Sequence, residues 1–80
     1  MLDLDGATTI RDLEMQYGIT LPAEAGFETI AGFLLFRLGY IPKTGERLEY
    51  EGMRFEIVEM ERNRIARVRL ERNTAGRENQ

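Results

Sequence analysis

"RLEYEGMRFEIVEMERNRIARVRLER", residues 47–72, decides the fold, because each of its two turns aligns apolar with apolar side chains and acids with bases. The first turn is predicted at Glu51–Gly52, where glycine supplies the positive φ that a tight hairpin needs. Each residue before the turn then faces a matching residue after it. The facing pairs are Tyr50–Met53, Glu49–Arg54, Leu48–Phe55 and Arg47–Glu56.

A second turn, predicted at Arg62–Asn63, repeats this pattern independently. Its facing pairs are Ile57–Val68, Glu56–Arg69, Phe55–Leu70 and Arg54–Glu71. The two hairpins share a strand and therefore predict a three-stranded antiparallel meander with one apolar face and one charged face. A slip of one residue would turn the charges into the core, so the register is firmly set.

Three apolar residues near the second turn do not fit this register. Val58, Met60 and Ile65 would fall on the charged face. A β-bulge would turn them back towards the apolar face, and the alternative is a small apolar patch for a partner. We favour the bulge. In the same register, Arg67 has no acidic residue directly opposite.

Three shorter elements are predicted before the meander. Residues 2–5, LDLD, alternate apolar and acidic side chains as a half-buried strand does. A first helix is predicted between a Thr9 cap and a Gly18 stop, since threonine caps helix N-termini and glycine ends helices. The same signals predict a second helix between Thr29 and Gly39.

These elements predict an α+β fold. The expected architecture is a small two-layer domain, in which two helices pack on an antiparallel sheet that contains the C-terminal meander and a short N-terminal strand. The domain is expected over residues 1–72. Residues 73–80, NTAGRENQ, are polar and without periodicity, and they are expected to form a disordered tail.

The second helix is apolar around most of its circumference. At about 100° per residue, one broad apolar face is predicted to carry Ile30, Ala31, Leu34, Leu35 and Leu38. Phe33 and Phe36 are expected well round the side of this face, next to Arg37. A helix that is apolar around most of its circumference is expected to be in contact with other protein surfaces on most sides. Phe33, Phe36 and Arg37 are therefore predicted to form a partner surface.

The composition argues against several classes of function. The chain has neither cysteine nor histidine, which removes thiolate metal sites, a cysteine nucleophile and the usual general base. Its net charge of −3 argues against nucleic-acid binding by bulk charge. No apolar run reaches the roughly 18 residues of a membrane span. We therefore expect no catalytic residue, no cofactor, no nucleic-acid partner and no direct membrane insertion.

The glycine-containing loop "IPKTG", residues 41–45, is predicted to be a turn that carries the chain from helix into sheet. Gly45 is its expected positive-φ position. A phosphate-binding loop needs a strand before it and a helix after it, and here the order is reversed.

Three pieces of the chain resemble the CorC/HlyC transporter-associated domain in their order and spacing. They are "TIAGFLLFRLGYIPKTGE" (residues 29–46), "YEGMRFEIVE" (residues 50–59) and "RIARVRLER" (residues 64–72). The resemblance implies a cytoplasmic C-terminal domain of a membrane protein of the magnesium and cobalt efflux or hemolysin type, usually placed after a transmembrane domain and a pair of CBS domains. It also implies a fold similar to part of a flavin-binding superfamily, without implying a bound flavin.

The function that this resemblance implies is a non-catalytic regulatory and interaction module that modulates ion transport. Its expected partners are the CBS pair of the parent protein and, as a homodimer, a second copy of the domain. The alternative is a small-ligand or divalent-metal sensor. In that case the acidic residues that would collect a cation are Asp3, Asp5, Glu24 and Glu28.

Overall fold

The strands and helices lie where the sequence pattern predicts them. A computed structural model describes residues 1–22 and 27–72. Its elements are β1 (Leu2–Asp5), α1 (Ile10–Tyr17), α2 (Ile30–Leu38), β2 (Arg47–Tyr50), β3 (Met53–Glu61) and β4 (Arg64–Arg72). The strands form one antiparallel sheet in the order β1-β4-β3-β2. The predicted α+β fold is confirmed, whereas Glu24 and the predicted tail at 73–80 lie outside the described residues.

Both predicted hairpin registers are confirmed. Strand β2 places Leu48 opposite Phe55, and β4 places Leu70 opposite the same Phe55. Phe55 and Leu70 are buried in the core, and Leu48 packs against its edge. The first turn has positive φ at both central residues, 47° at Glu51 and 80° at Gly52, which is the conformation of a tight hairpin turn.

The predicted β-bulge lies in β3. The pairing with β4 shifts after Ile57 and returns before Met60. Ile65 is consequently buried, and Met60 packs against the core. Val58 is half-buried and does not pack against the core, so the bulge accounts for two of the three residues. The shift places Glu59 opposite Arg67, with 3.6 Å between Oε1 and Nε. The prediction that Arg67 lacks an opposing acid is therefore wrong, because the extra residue of the bulge moves the pairing by one position.

Strand β1 joins the sheet beside β4, and Gly6 ends it. The Gly6 N–H donates to the Ala66 carbonyl at 2.9 Å, and its own carbonyl accepts from the Ala31 N–H at 3.0 Å. A side chain on Gly6 would overlap the carbonyl oxygen of Ile65. Glycine is therefore required here, since β1, β4 and the start of α2 meet without room for a Cβ.

The predicted caps are present on both helices. The Thr9 hydroxyl accepts from the Asp12 N–H at 3.0 Å, and the Thr29 hydroxyl accepts from the Gly32 N–H at 3.1 Å. Left-handed glycines end both helices, with φ of 70° at Gly18 and 79° at Gly39.

The N-terminus of each helix is also hydrogen-bonded to the segment that precedes the other helix. The Ile10 N–H donates to the Glu28 carbonyl and the Ile30 N–H to the Thr8 carbonyl, both at 2.9 Å. These bonds satisfy amide groups that a helix start leaves without an intrahelical partner. They hold α1 and α2 in a fixed relation above the sheet. Within the described ranges, neither helix has the length and apolarity that crossing a bilayer requires.

The buried face of α2 is rotated about the helix axis relative to the predicted apolar face. Phe33 is fully buried, whereas Leu35 and Leu38 are only partly covered. The Phe33 ring packs on the rings of Tyr50 and Phe55, with centroids 5.2 and 5.9 Å away. Phe33 therefore belongs to the core, because the aromatic side chains of β2 and β3 lie directly beneath it.

Candidate interaction surface

The C-terminal end of α2 exposes part of the predicted partner surface. Phe36 is 57% exposed, and Arg37 is exposed beside it. Phe33, the third predicted member, is buried and cannot touch a partner in this fold. This placement corrects the prediction for Phe33.

A row of aromatic rings supports Phe36 from below. Its ring lies 5.4 Å from that of Phe27, which in turn meets Phe33 edge to face at 5.7 Å. Phe33 continues the row to Tyr50 of the sheet. Phe36 is therefore the solvent-facing end of an aromatic cluster that reaches the core, which limits its freedom before any partner arrives.

Arg37 is held in place by the same cluster. Its Cζ atom lies 5.0 Å from the centroid of the Tyr50 ring, which is the geometry of a cation–π interaction. Arg37 also lies in the last turn of α2, where a positive charge complements the helix dipole. The result is a fixed positive charge next to an exposed aromatic ring.

Two residues of this surface were not predicted. Tyr40 and Ile41, which follow the Gly39 stop directly, are 54% and 53% exposed. The sequence did contain a signal, since two large apolar side chains in a turn are unusual unless a core or a partner covers them. We call the exposed side chains Phe36, Arg37, Tyr40 and Ile41 the α2-end surface.

Glu46 anchors the turn that carries Tyr40. The Tyr40 hydroxyl donates to Glu46 Oε1 at 2.7 Å, and the Lys43 N–H donates to Oε2 at 2.9 Å. The bond from Tyr40, with that from Lys43, holds the pKa of Glu46 below its usual value. The same bond raises the pKa of Tyr40. A charged Glu46 and a protonated Tyr40 thus fix the turn at neutral pH.

The chemistry of the α2-end surface suits binding to another protein surface. Tyr, Phe and Arg are enriched at the centres of protein interfaces, where rigid side chains bury area at low entropic cost. The four side chains include no carboxylate, and the Arg37 guanidinium offers hydrogen-bond donors and no acceptor.

The charged face of the sheet is internally paired. Its ion pairs are Arg69–Asp3 at 2.9 Å, Arg54–Glu49 at 3.6 Å, Arg67–Glu59 at 3.6 Å and, at the hairpin tip, Arg64–Glu61 at 2.6 Å. Arg69 lies opposite Glu56 as predicted, but its bonded partner is Asp3 on β1. These arginines each have an acidic neighbour, so the face carries no strongly positive field.

The acids proposed for a metal sensor are not gathered in the described part of the chain. Asp3 is bonded to Arg69, and one oxygen of Asp5 accepts from the Ala7 N–H at 2.8 Å. Glu28 lies elsewhere, at the rim of a groove beside Leu21. Within residues 1–22 and 27–72, no three acidic side chains are close enough to hold an ion together.

The structure defines a small two-layer α+β domain, in which two helices pack on the apolar face of a four-stranded antiparallel sheet and one helix end is exposed. The CorC_HlyC transporter associated domain family matches residues 1–74. The chain belongs to this family.

Known relatives agree with this membership. The polyamine export protein of Escherichia coli (strain K12) is 36% identical over 63 residues, which cover 78% of this chain and only 14% of that protein. A CorC_HlyC domain from Nitrosomonas europaea is 37% identical with a TM-score of 0.78, covering 88% of this chain and 84% of that one. The same domain of a Xylella fastidiosa Temecula1 hemolysin, solved in complex with Mg++ and Mn++, is 34% identical with a TM-score of 0.74 and the same two coverages.

Proposed function

We propose that this chain is a non-catalytic regulatory and interaction module of a transporter-type membrane protein. It works on the cytoplasmic side, at the C-terminal end of its parent, and the unit that acts is residues 1–72. The observation that carries the proposal is Phe36, 57% exposed at the end of an ordered aromatic row in a transporter-associated domain. Phe36 is exposed together with Tyr40 and Ile41, and an exposed apolar group of this kind supports a role in binding a partner.

The proposed partner is a neighbouring domain of the same parent. A match to 14% of the polyamine export protein supports a parent several times longer than this domain. The resemblance to CorC/HlyC proteins makes the CBS pair the expected neighbour. Docking of the α2-end surface would then couple the conformation of that neighbour to cation movement, whether the cargo is magnesium and cobalt or a polyamine.

A chimeric transporter tests this function. The chain would replace the corresponding segment of the E. coli polyamine export protein, and polyamine efflux would be measured in cells that lack the native exporter. We expect Phe36→Ser to reduce efflux several-fold, because serine removes the ring that the partner covers. Met15→Ser is the matched control, since Met15 is 76% exposed on α1 and outside the α2-end surface.

Two outcomes count against the proposal. Efflux from a transporter without this segment that equals efflux from the intact chimera would show that the module regulates nothing. An equal loss from Phe36→Ser and Met15→Ser would show that the α2-end surface has no special role. Equal protein levels, measured by immunoblot, make the comparison valid.

The metal sensor remains a second candidate because the Xylella fastidiosa relative was solved with Mg++ and Mn++. Titration calorimetry of this chain with magnesium, manganese, cobalt and calcium separates the two functions. The interaction module predicts no binding heat at millimolar metal. Saturable heat that disappears in Asp5→Asn or Glu28→Gln would favour the sensor.

A further inference from the structure

We propose that the free edge of β2 pairs with β2 of a second copy of this chain. The two strands would run antiparallel about a two-fold axis. Arg47 of one copy then lies opposite Glu49 of the other, and the two Leu48 side chains meet at the axis. This inference is independent of the α2-end surface and of the regulatory function proposed above.

Strand β2 ends the sheet and is bonded on one side only, to β3. The Ile57 N–H donates to the Glu46 carbonyl at 2.9 Å, so Glu46 directs its backbone towards β3. Backbone groups in an antiparallel ladder alternate between the two sides of a strand. Leu48 therefore also points its N–H and carbonyl towards β3, whereas Arg47 and Glu49 point theirs outwards.

The outward groups have no partner among the described residues. Apart from strand pairing with β3, no backbone or side-chain hydrogen bond within residues 1–22 and 27–72 involves the backbone of Arg47 or Glu49. An edge with open donors and acceptors is a template for another strand. The side chains that would face each other across the new strand pair determine which partner fits this edge.

Charge selects a single register for self-pairing. In such a pair, residues whose backbone groups point outwards lie opposite one another. Three arrangements are then possible: Arg47 opposite Arg47, Glu49 opposite Glu49, or Arg47 opposite Glu49. The first two place like charges together, which destabilises a pair of strands. The third places opposite charges together on both sides of the axis, with Leu48 against Leu48.

Self-pairing keeps apolar and charged side chains on separate faces of the extended sheet. Leu48 and Tyr50 are partly buried on the helix side, and Arg47 and Glu49 are exposed on the open side. Self-pairing would therefore continue the apolar layer on one face and the matched charges on the other. This is the arrangement that β2 already makes with β3.

The opposite edge of the sheet lacks this complementarity. Strand β1 carries Asp3 and Asp5 on its charged side and no basic residue. In the two-fold registers centred on Asp3, Leu4 or Asp5, an acid would face an acid, which disfavours pairing. Self-association is accordingly specific to β2.

The first experiment uses the chain as it stands, since solved family domains of similar length fold by themselves. Sedimentation equilibrium should show a dimer with a dissociation constant of about 0.1–1 mM, because few backbone bonds must offset the lost freedom of two molecules. In ¹⁵N-labelled protein, the amide signals of Arg47 and Glu49 should move with concentration, and those of Asp3 and Asp5 should not. A monomer at 2 mM, or shifts at β1 in place of β2, would overturn the proposal.

A charge exchange tests the register. Glu49→Lys gives an all-basic edge and Arg47→Glu an all-acidic edge, so each variant alone should lose self-association at least ten-fold. An equimolar mixture should restore it as a heterodimer, because every cross-pair is again of opposite charge. Circular dichroism confirms folding, and Met15→Ser, at an exposed position on α1, should leave the wild-type association unchanged. Dimers of either variant alone, or a mixture that stays monomeric, would contradict the register.

Discussion

Arg69 and Asp3 are 66 residues apart in sequence yet lie opposite each other on β4 and β1, where Arg69 Nε donates to Asp3 Oδ1 at 2.9 Å. The pair attaches the N-terminal strand to the end of the meander. The bond from Arg69 also holds the pKa of Asp3 below its usual 3.8.

Because the pKa of Asp3 is lowered in the folded state, the stability of the domain should depend on pH in the acid range. The charged Asp3 carboxylate contributes to the free energy of unfolding. This contribution is complete above the usual pKa of the carboxyl group and is lost as pH falls through its pKa in the folded state. Wild type should therefore unfold at higher urea concentration than Asp3→Asn at pH 7. The difference should shrink below pH 3.8. Glu14→Gln, on the solvent face of α1, is the control, and a difference that persists at pH 2 would contradict the assignment to this pair.

Gly6 is expected to tolerate no side chain. Gly6→Ala forces a methyl group against the Ile65 carbonyl, and relief requires β1 and β4 to separate. The expected loss is about 2 kcal/mol or more of the free energy of unfolding, measured by urea denaturation. Gly18→Ala is the matched control, because its φ is 70° but its surroundings are open. It should cost only about 1 kcal/mol, from backbone strain alone. Equal costs would show that β1 is not packed as described.

Glu51 occupies a backbone conformation that suits asparagine better. Its φ of 47° precedes Gly52 in the β2–β3 turn, and Asn-Gly is the preferred pair for such turns. Glu51→Asn should raise the free energy of unfolding by about 0.5–1 kcal/mol, because asparagine enters the left-handed region at lower cost. Thermal unfolding measures the gain. Glu51→Ala should give none, so an equal gain from alanine would assign the effect to lost charge.

Phe33 and Phe36 should differ sharply when truncated. Phe33→Ala leaves a cavity between α2 and the sheet and should cost about 3–5 kcal/mol in urea denaturation. Phe36→Ala removes a ring that is 57% exposed and should cost about 1 kcal/mol. Folding of the Phe36 variant can be checked by circular dichroism before any binding assay. Similar costs at the two positions would mean that α2 is rotated about its axis relative to the described packing.

The hairpin registers and the helix caps could be predicted from the sequence because they are local. A turn such as Glu51–Gly52 brings its flanks together at once, and only one alignment keeps apolar residues such as Leu48 and Phe55 on one face. Thr9 caps its helix through an amide only three residues away. The exposure of Phe36 followed from the same helical periodicity.

The candidate surface was predicted only in part, since exposure depends on what lies beneath a helix. Helical periodicity places Phe33 at the side of α2, but Tyr50 and Phe55 lie under it and bury it. Tyr40 is exposed, and its hydroxyl is bonded to Glu46 across the turn. Periodicity gives the angle between two side chains of a helix, but it does not give the position of the neighbouring sheet.

By itself, the sequence determined where the strands and helices begin and end, how the two hairpins align and which family the chain resembles, because short-range sterics and alternation suffice for these. Only the tertiary structure decided that β1 lies beside β4, that the bulge gives Arg67 its acid in Glu59, and that β2 is a free edge. These outcomes join segments that are distant in the chain. They depend on how whole surfaces pack, a balance of burial and chain entropy that no short stretch of residues contains.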